Sequence, residues 1–519
     1  MMKFLSSKNR FLFNLGGLFL LFAMMASCKK EKEAITLPIS GPDQVFYALS
    51  PDNGIYRFNA LDVKSIPTKT VITGLDKDEK ILSIDFRPAT GELYGVTNAS
   101  KIYVIDPAGS ARAISSNPFN PGIAQDATAS LDFDPTTDKI RIVTNSRQNL
   151  RINPETGALI SADVAIVGDV SISGIAYNNN TAGSKTTTLF DIDIKNQRLY
   201  KQDPINDGRL VAIGTLDKNL GTNVSFDISA DNANALAIGK VGDSTKLFQI
   251  DLATGKVTLA GNFPISASFI GMAMPTNKVA YAVDNSNNFL IFNPDNGNAT
   301  TAINPISIPI VGLQAGENVV GMDMRPLNGR VYALGSSSRL YTVDLATAIF
   351  TQVGSGAFAT LLNGTSFGFD FNPVTDRLRV VSNTGQNLRI DPSDITVTAD
   401  PSLSPAGVTI AAAAFNNNFK GANTTTLYVI DHATDRLYTQ EPNTGVLTAV
   451  GELKVDLTGA NGFDIISTPA TNIGYALLRV GTATQLYNIN LNNGEATLVA
   501  QFGKDITAFT LGLRFYTKN

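Results

Sequence analysis

Cysteine, histidine and tryptophan are almost absent from this sequence. Its 519 residues include one cysteine, one histidine and no tryptophan. Because Cys28 is alone, an intramolecular disulfide and a thiolate zinc site are both excluded. Because His432 is alone, histidine-rich zinc, copper or iron sites are excluded, and a Ser-His-Asp or Cys-His mechanism has only one place in the chain. The fold must be stabilised by its core, and any chemistry falls to carboxylates, amides and cations.

Long apolar runs are also scarce, and the one at the start of the chain has the pattern of an export signal. Three basic residues precede an apolar run over residues 11–26, which is short for a membrane span. The run ends in Met25-Ala26-Ser27-Cys28, which resembles a bacterial lipoprotein box, where a lipidated cysteine becomes the first mature residue. The alternatives are an uncleaved anchor or an ordinary exported signal. We expect a lipoprotein signal peptide over residues 1–27 and lipidation at Cys28.

The residues after Cys28 predict a tether and a location. Residues 28–43 contain the charged run KKEKE, which is typical of a solvated segment without structure of its own. By resemblance to lipoprotein sorting, Lys29 after the cysteine indicates the outer membrane. We therefore expect a cell-envelope lipoprotein that is bound to the membrane through its lipid, and either periplasmic or surface-exposed.

Basic residues are too few for a nucleic-acid partner. Without residues 1–27, 38 Lys and Arg stand against 45 Asp and Glu, a net charge of −7. A mildly acidic exported protein is not expected to bind nucleic acid.

The chain contains a long internal duplication. NSRQNLRI at residues 145–152 recurs as NTGQNLRI at residues 383–390, an offset of 238 positions. Matching segments continue without a gap from about residue 79 to residue 204, and a one-residue deletion in the second copy shifts the offset after Pro204 and Pro442. Two tandem copies therefore account for nearly all of the mature chain.

Each copy is expected to consist of short antiparallel strands. Segments such as IYVIDPAG, LFDIDIKN and LYVIDHATD recur among alternating apolar runs bounded by turn residues, and no convincing amphipathic helix is found. Five units of about 48 residues fit into one copy, close to the four-stranded blade of a β-propeller. A typical unit divides into the strands ILSIDF, ELYGV, KIYVID and ARAIS.

The ring size depends on the segment GMAMPTNKVAYAV at residues 271–283. If it is split between sheets, residues 44–275 and 278–516 form two tandem five-bladed propeller units, which the usual number of blades favours. If it forms an ordinary hairpin, one continuous ten-bladed ring results, as the preference for pairing of sequential strands would favour. We predict an all-β fold with two five-bladed units.

The most specific segments resemble a known family. RPATGELYG, SFGFDFNPVTDRLRVVS, TGQNLRI, NNN and TTTLY are similar to the bacterial domain of unknown function 4394, and the likeness spans most of both copies. The resemblance implies an exported bacterial protein with single or tandem domains, and a single copy as a closed unit. It implies no activity, so it assigns no catalytic residue.

The duplicated polar segment is the first candidate for a binding site. Its amides and arginines occur in an expected hairpin turn, where they either contact a ligand or close the turn by bonding to local backbone. The candidate ligand-binding residues are Asn383, Gln386, Asn387, Arg389, Asn145, Gln148, Asn149 and Arg151.

Carboxylates at equivalent positions of the inner strands are the second candidate for a site. Each inner strand begins one of the predicted four-stranded units, and we call these strands the first strands. If these strands line a channel, their oxygens could form an acidic ring that binds Ca²⁺. The alternative is a structural role, in which each Asp accepts backbone N–H groups or pairs with an arginine. The candidate metal ligands are Asp85, Asp132 and Asp227 in the first copy and Asp323, Asp370 and Asp464 in the second.

Other retained residues favour structural roles. Glu79 and Glu317 precede a first strand and could serve as a base, but the metal-binding Glu and Asn set of lactonase propellers cannot be assembled. Arginines at equivalent positions of both copies are expected to pair with retained Asp and so to stabilise an interface between blades; they are Arg141, Arg151 and Arg198, with Arg379, Arg389 and Arg436.

These features predict a non-catalytic, lipid-anchored binding or scaffold protein of the cell envelope with an unknown protein or glycan partner. The alternative is a propeller hydrolase or lactonase that uses channel carboxylates and Ca²⁺.

Overall fold

The computed structural model describes residues 39–106 and 108–514, apart from the side chain of Asn461. The predicted signal peptide at residues 1–27, the lipidation site Cys28 and most of the tether lie outside these residues. The described residues form strands, turns and loops without a helix, so the predicted all-β class is confirmed. Accordingly, this part of the chain has no helix that is long and apolar enough to cross a membrane.

The first copy folds into five four-stranded antiparallel sheets. Their orders are β20-β1-β2-β3, β4-β5-β6-β7, β8-β9-β10-β11, β12-β13-β14-β15 and β16-β17-β18-β19. The strands are β1 (Val45–Ser50), β2 (Gly54–Asn59), β3 (Thr70–Val71), β4 (Ile81–Phe86), β5 (Leu93–Thr97), β6 (Ile102–Ile105), β7 (Ala111–Ala113), β8 (Ala129–Asp134), β9 (Lys139–Thr144), β10 (Asn149–Ile152), β11 (Leu159–Ala162), β12 (Ile172–Tyr177), β13 (Leu189–Asp193), β14 (Arg198–Gln202), β15 (Leu210–Thr215), β16 (Thr222–Ile228), β17 (Ala235–Val241), β18 (Ser244–Ile250), β19 (Val257–Asn262) and β20 (Gly271–Ala273).

The second copy repeats this arrangement. Its sheets have the orders β41-β21-β22-β24, β25-β26-β27-β28, β29-β30-β31-β32 and β33-β34-β35-β36, and a fifth has the order β37-β38-β39-β40-β23, in which β23 is parallel to β40. The strands are β21 (Ala280–Asp284), β22 (Asn288–Phe292), β23 (Ala302–Ile303), β24 (Ile306–Pro309), β25 (Val319–Arg325), β26 (Arg330–Gly335), β27 (Arg339–Val343), β28 (Phe350–Val353), β29 (Phe367–Asn372), β30 (Arg377–Ser382), β31 (Asn387–Ile390), β32 (Val397–Ala399), β33 (Ile410–Phe415), β34 (Leu427–Asp431), β35 (Arg436–Gln440), β36 (Leu447–Glu452), β37 (Gly459–Ser467), β38 (Asn472–Val480), β39 (Ala483–Ile489), β40 (Ala496–Phe502) and β41 (Ile506–Leu511).

Each sheet is compatible with a propeller blade. The unit predicted from ILSIDF, ELYGV, KIYVID and ARAIS corresponds to β4, β5, β6 and β7. The first two strands of such a sheet are buried on both faces, whereas the outermost is partly exposed, as in β8 and β11. This gradient explains why the inner strands have nearly continuous apolar runs and the outer ones alternate.

The segment at residues 271–283 is divided between two sheets. Its first part, β20, pairs with β1, so that Ala273 lies opposite Tyr47. Its second part, β21, pairs with β41, so that Tyr281 lies opposite Thr510. In both copies a late strand therefore completes the sheet that contains the first strand, which covers an otherwise open sheet edge.

Apolar side chains between neighbouring sheets form the core. Tyr94 of β5 meets Phe133 of β8 edge to face with ring centroids 5.1 Å apart, and Tyr332 meets Phe371 in the same way at 5.2 Å. The first strands are successive neighbours, since β4 packs beside both β8 and β20, and β25 beside both β29 and β41.

The two copies contact each other through polar side chains. Glu155 of the first copy lies 2.9 Å from Nε of Arg330 of the second, and the hydroxyl of Tyr281 donates to the carbonyl of Ala89 at 2.8 Å. We call the boundary that includes these contacts the seam.

Candidate functional site

Three buried carboxylates meet where the first strands of each copy approach one another. Oxygens of Asp85, Asp132 and Asp227 lie within 4.8 Å of one another, and so do oxygens of Asp323, Asp370 and Asp464. All six side chains belong to residues that are 1–2% exposed. The structure thus brings together both triplets that the sequence assigned, and we call them the carboxylate triads.

In the first copy, the triad carboxylates connect strands of different sheets. Asp85 of β4 accepts the N–H of Phe133 in β8 at 2.9 Å, and Asp132 of β8 accepts that of Tyr177 in β12 at 3.2 Å. Asp227 of β16 accepts the N–H of Met274, which follows β20. At these points two strands lie side by side without backbone hydrogen bonds between them. Each Asp side chain therefore accepts a backbone N–H group that a strand carbonyl would otherwise accept.

The second copy adds a hydroxyl to the same arrangement. Asp323, Asp370 and Asp464 accept the N–H groups of Phe371, Phe415 and Leu511 at 2.8, 3.0 and 2.7 Å. Thr510 lies between two of these carboxylates, with Oγ1 3.0 Å from Asp464 and 3.2 Å from Asp323. The first copy has Ala273 at this place, one residue before Met274 as Thr510 is one before Leu511.

Burial makes the charged form of these carboxylates unfavourable. It raises the pKa of Asp227 to about 7 and that of Asp464 to about 6. The pKa values of the remaining four are also raised, first by burial and then by repulsion from the other triad carboxylates. None of the six forms an ion pair with a described Lys or Arg. Each triad must therefore bind protons or a cation to balance its charge.

The triads offer oxygen ligands of the kind that Ca²⁺ prefers. One oxygen of Asp85 and one of Asp370 have no hydrogen-bond partner, although both are buried. Metal binding there stays a prediction, since the geometry equally suits protonated carboxyls that share hydrogen bonds.

The glutamines of the duplicated polar segment bind the backbone of the preceding loop. Gln148 accepts the N–H of Ala124 and donates to the carbonyl of Gly122, both at 2.8 Å. Gln386 does the same with Asn363 at 2.8 Å and Leu361 at 2.9 Å. The nearby Asn145 and Asn383 accept backbone N–H groups at 3.1 and 3.0 Å. These amides hold two loops together in both copies.

The other half of this segment is part of a buried ion-pair network. Asn149 is 1% exposed and accepts a hydrogen bond at 2.7 Å from Arg141, which also pairs with Asp163 at 2.7 Å. Arg151 pairs with the same Asp163 at 2.7 Å. Although burial opposes its charge, hydrogen bonds from Arg151, Ser161 and Arg141 hold the pKa of Asp163 below its usual value.

The second copy has the equivalent network around Asp400. Arg379 donates to Asn387 and to Asp400, both at 2.7 Å, and Arg389 lies 3.3 Å from Asp400. The expected pairing of arginines with retained Asp is thus present for these pairs, although ligand binding by the eight segment residues stays a prediction. The side chain of Arg389 remains 39% exposed, so a ligand can reach it.

Sequence comparison missed Asp163 and Asp400 because their offset is 237 rather than 238. A β-bulge between Arg151 and Ile152 places Ala162 opposite Leu150, whereas the regular ladder of the second copy places Ala399 opposite Leu388. The residue after each partner is the acceptor Asp. An alignment of the two copies that allowed one extra residue at this bulge would have matched Asp163 with Asp400.

The two retained glutamates and the histidine have local partners. Glu79 lies 3.1 Å from Nζ of Lys101, and Glu317 accepts the backbone N–H of Ser337 at 3.1 Å. Burial and a hydrogen bond to Glu317 raise the pKa of Tyr341 to about 12. Nδ1 of His432 lies 2.9 Å from the carbonyl of Thr409.

Comparison with known proteins identifies both copies as one kind of domain. Residues 54–273 and 299–511 each match the domain of unknown function DUF4394. No curated protein matches the chain. The two matches together cover most of the sequence and coincide with the two sets of sheets, so the chain belongs to the DUF4394 family and carries two tandem copies of its domain.

Proposed function

We propose that the protein is a lipid-anchored, non-catalytic binding or scaffold protein of the cell envelope, built from two tandem five-bladed propellers at residues 44–275 and 278–516. The two-ring arrangement is supported by the pairing of β20 with β1 and of β21 with β41. It is supported further by the neighbouring first strands, which return from β20 to β4 and from β41 to β25. A continuous ten-bladed ring would require β20 and β21 to pair with each other.

The observation that carries the binding role is the use of polar side chains to make the frame rigid. The triad carboxylates link first strands, and Gln148 and Gln386 fix loops, so the groups that a hydrolase would use are bonded to the protein's own backbone. A rigid frame with variable loops is the arrangement by which propellers present binding surfaces. The partner is a protein or glycan of the envelope.

The anchor and the location have a direct test. Cells supplied with a tagged palmitate are expected to label the wild-type protein, and Cys28→Ala is expected to abolish the label and release the protein from membranes. Protease added to intact cells then separates the surface-exposed form from the periplasmic one. Labelling that persists in Cys28→Ala would contradict the anchor.

A second candidate function is a hydrolase or lactonase that uses the triad carboxylates with Ca²⁺. The convergence of three carboxylates within 4.8 Å favours it. Because these side chains are 1–2% exposed, a substrate would need a path to them. A panel of lactones and esters tests it with Asp370→Asn as the control variant: turnover that this variant abolishes would replace the binding role with the catalytic one.

A further inference from the structure

A cavity of about 270 Å³ lies at the seam. Its first-copy wall comes from the sheet β4–β7 and includes Glu92, Ala111 and Arg112. Its second-copy wall includes Asn418 and Lys420 of the loop between β33 and β34, together with Pro326, Leu513 and Arg514. The cavity therefore exists only where the two copies meet, and we call it the seam cavity.

Three residues that line the seam cavity each have a buried polar atom without a hydrogen-bond partner. These atoms are Oε2 of Glu92, Nη2 of Arg112 and Oδ1 of Asn418. Glu92 is 6% exposed and Asn418 is 5% exposed, so bulk water does not readily serve them. An unpaired buried polar group costs about 1–3 kcal/mol. One donor and two acceptors in a single cavity indicate a polar ligand with complementary groups.

The charges around the seam cavity favour an anion. Arg514 is paired with Asp106 at 2.8 Å, but Arg112 approaches Glu92 only to 3.7 Å. Lys420 forms no ion pair within the part of the chain that the structure describes. Partial burial lowers the pKa of Lys420, and so does the neighbouring positive charge of Arg112.

The equivalent positions of the repeat lack the space and the positive charge, whereas Asn180, the counterpart of Asn418, also has a buried Oδ1 without a hydrogen-bond partner. Ala111 lies opposite Ile105 in the ladder, as the larger and buried Phe350 lies opposite Val343. In the first copy, Thr181-Ala182 follows the NNN run where Phe419-Lys420 follows it in the second. The space and the positive charge are thus departures from the repeat.

We propose that the seam cavity binds a small hydroxylated carboxylate, of which an acidic monosaccharide is the type. The ligand carboxylate lies between Lys420 and Arg112, and ligand hydroxyls donate to Asn418 and Glu92. This site deepens the proposed binding role and rests on it, because it gives that role a ligand class. A pocket of this size holds a single sugar ring rather than a polymer.

The test is calorimetric titration of the full chain, purified in detergent, with three probes: glucuronate, glucose and inorganic phosphate. Glucuronate is expected to bind saturably at one site per chain. Glucose, which lacks the carboxylate, and phosphate, which lacks the hydroxyl groups on a ring, are each expected to bind at least about tenfold more weakly, a difference of about 1.4 kcal/mol.

Three variants locate the site. Lys420→Met is expected to weaken glucuronate binding about tenfold, and Asn418→Asp, which adds a negative charge without changing size, to weaken it at least as much. The matched control Lys77→Met changes an exposed lysine that does not line the cavity, and is expected to leave binding unchanged.

Glucuronate binding that is absent, unaffected by Lys420→Met, or no tighter than phosphate binding would overturn the proposal. If the chain still binds larger envelope glycans or a protein partner, only the seam cavity is rejected. If it binds none of them, the binding role fails as well.

Discussion

Thr510 and Asp464 form a hydrogen bond in the interior of the second copy, with Oγ1 3.0 Å from Oδ2. The same hydroxyl accepts the N–H of Met324 at 3.1 Å, so one side chain connects β41 to both neighbouring first strands. The first copy has Ala273 at this place and lacks the connection. Each copy therefore has its own hydroxyl bridges between first strands: Thr510 in the second copy, and in the first copy Ser83 and Ser130, which accept the N–H groups of Leu131 and Ile175 at 3.0 Å.

Thr510→Val should lower the free energy of unfolding by about 1–3 kcal/mol, because it keeps the volume but leaves the N–H of Met324 without its acceptor. Urea denaturation followed by fluorescence measures the change. Thr507→Val on the same strand is the matched control, since the hydroxyl of Thr507 is partly exposed and its contact with the carbonyl of Val283 is long, at 3.4 Å. Equal losses in the two variants would contradict the role assigned to Thr510.

The triads predict a stability that falls as pH rises. The carboxyl pKa values are higher in the folded state than in the unfolded one, so the folded state binds more protons over the interval between them. With an ordinary Asp pKa of 3.8 in the unfolded chain and folded pKa values of about 6 for Asp464 and about 7 for Asp227, the contribution is complete below about pH 4 and is lost as pH rises through about 6 to 7. Denaturation midpoints measured from pH 4 to 8 test this, and a rise across that interval would contradict it.

Asp370→Asn should remove part of that pH dependence. The amide oxygen can still accept the N–H of Phe415, and no charge has to be buried. At pH 8 the variant should be more stable than wild type, and at pH 4 the two should be similar. Asp370→Ala should be less stable at both pH values because the N–H of Phe415 loses its acceptor, at a cost of about 1–3 kcal/mol. If Asn and Ala behave alike, the hydrogen bond does not matter.

Added Ca²⁺ distinguishes whether bound protons or a bound metal ion balance the charge of the carboxylate triads. Our first proposal predicts that about 1 mM Ca²⁺, a concentration that saturates many extracellular sites, leaves the melting temperature unchanged, as does a chelator. A differential scan with and without each reagent makes the measurement. A saturable rise with Ca²⁺ that disappears in Asp370→Asn would instead establish a metal site at the triad, which the second candidate function requires.

Much of the fold could be predicted from the sequence, because the duplication and the alternating apolar runs are local signals. The pairing of residues 271–283 had no local signal, since β20 and β21 have the pattern of an ordinary hairpin and their partners β1 and β41 are more than 200 residues away; only the usual number of blades favoured the split. Whether β20 and β21 pair with each other or with β1 and β41 depends on how distant parts of each copy meet, and no local pattern indicates this.

For the candidate sites, equivalent positions predicted which residues matter but not what they contact. Asp85 and its five counterparts were found from strand position, yet their acceptor role toward the next first strand depends on packing between sheets. Asp163 and Asp400 were missed because a bulge shifts the offset by one. The seam cavity combines residues of both copies that are about 300 positions apart, so it had no sequence signal beyond Phe419-Lys420.

Gln386→Leu tests whether the duplicated polar segment supports the loop or a ligand. Loss of both hydrogen bonds, to Asn363 and Leu361, should lower the free energy of unfolding by about 1–2 kcal/mol and speed amide exchange in residues 361–366. Gln148→Leu should have the same effect in the first copy. Hydrogen-exchange mass spectrometry reads both loops separately. Unchanged exchange in both variants would return Gln386 and Gln148 to the list of ligand-binding candidates.

Glu155 is expected to couple the two copies energetically. Its carboxylate lies 2.9 Å from Arg330 of the second copy and 3.6 Å from the buried Arg87 of the first. Glu155→Gln should lower the free energy of unfolding by about 1 kcal/mol, since both partners are largely shielded from water. A double-mutant cycle with Arg330→Met measures the pairwise energy. Glu452→Gln, in an exposed pair with Arg436 within one copy, should change nothing measurable. A coupling of zero between Glu155 and Arg330 would mean that this ion pair does not help to hold the copies together, which would leave that role to the apolar contacts, Tyr281 and the pair of Arg514 with Asp106.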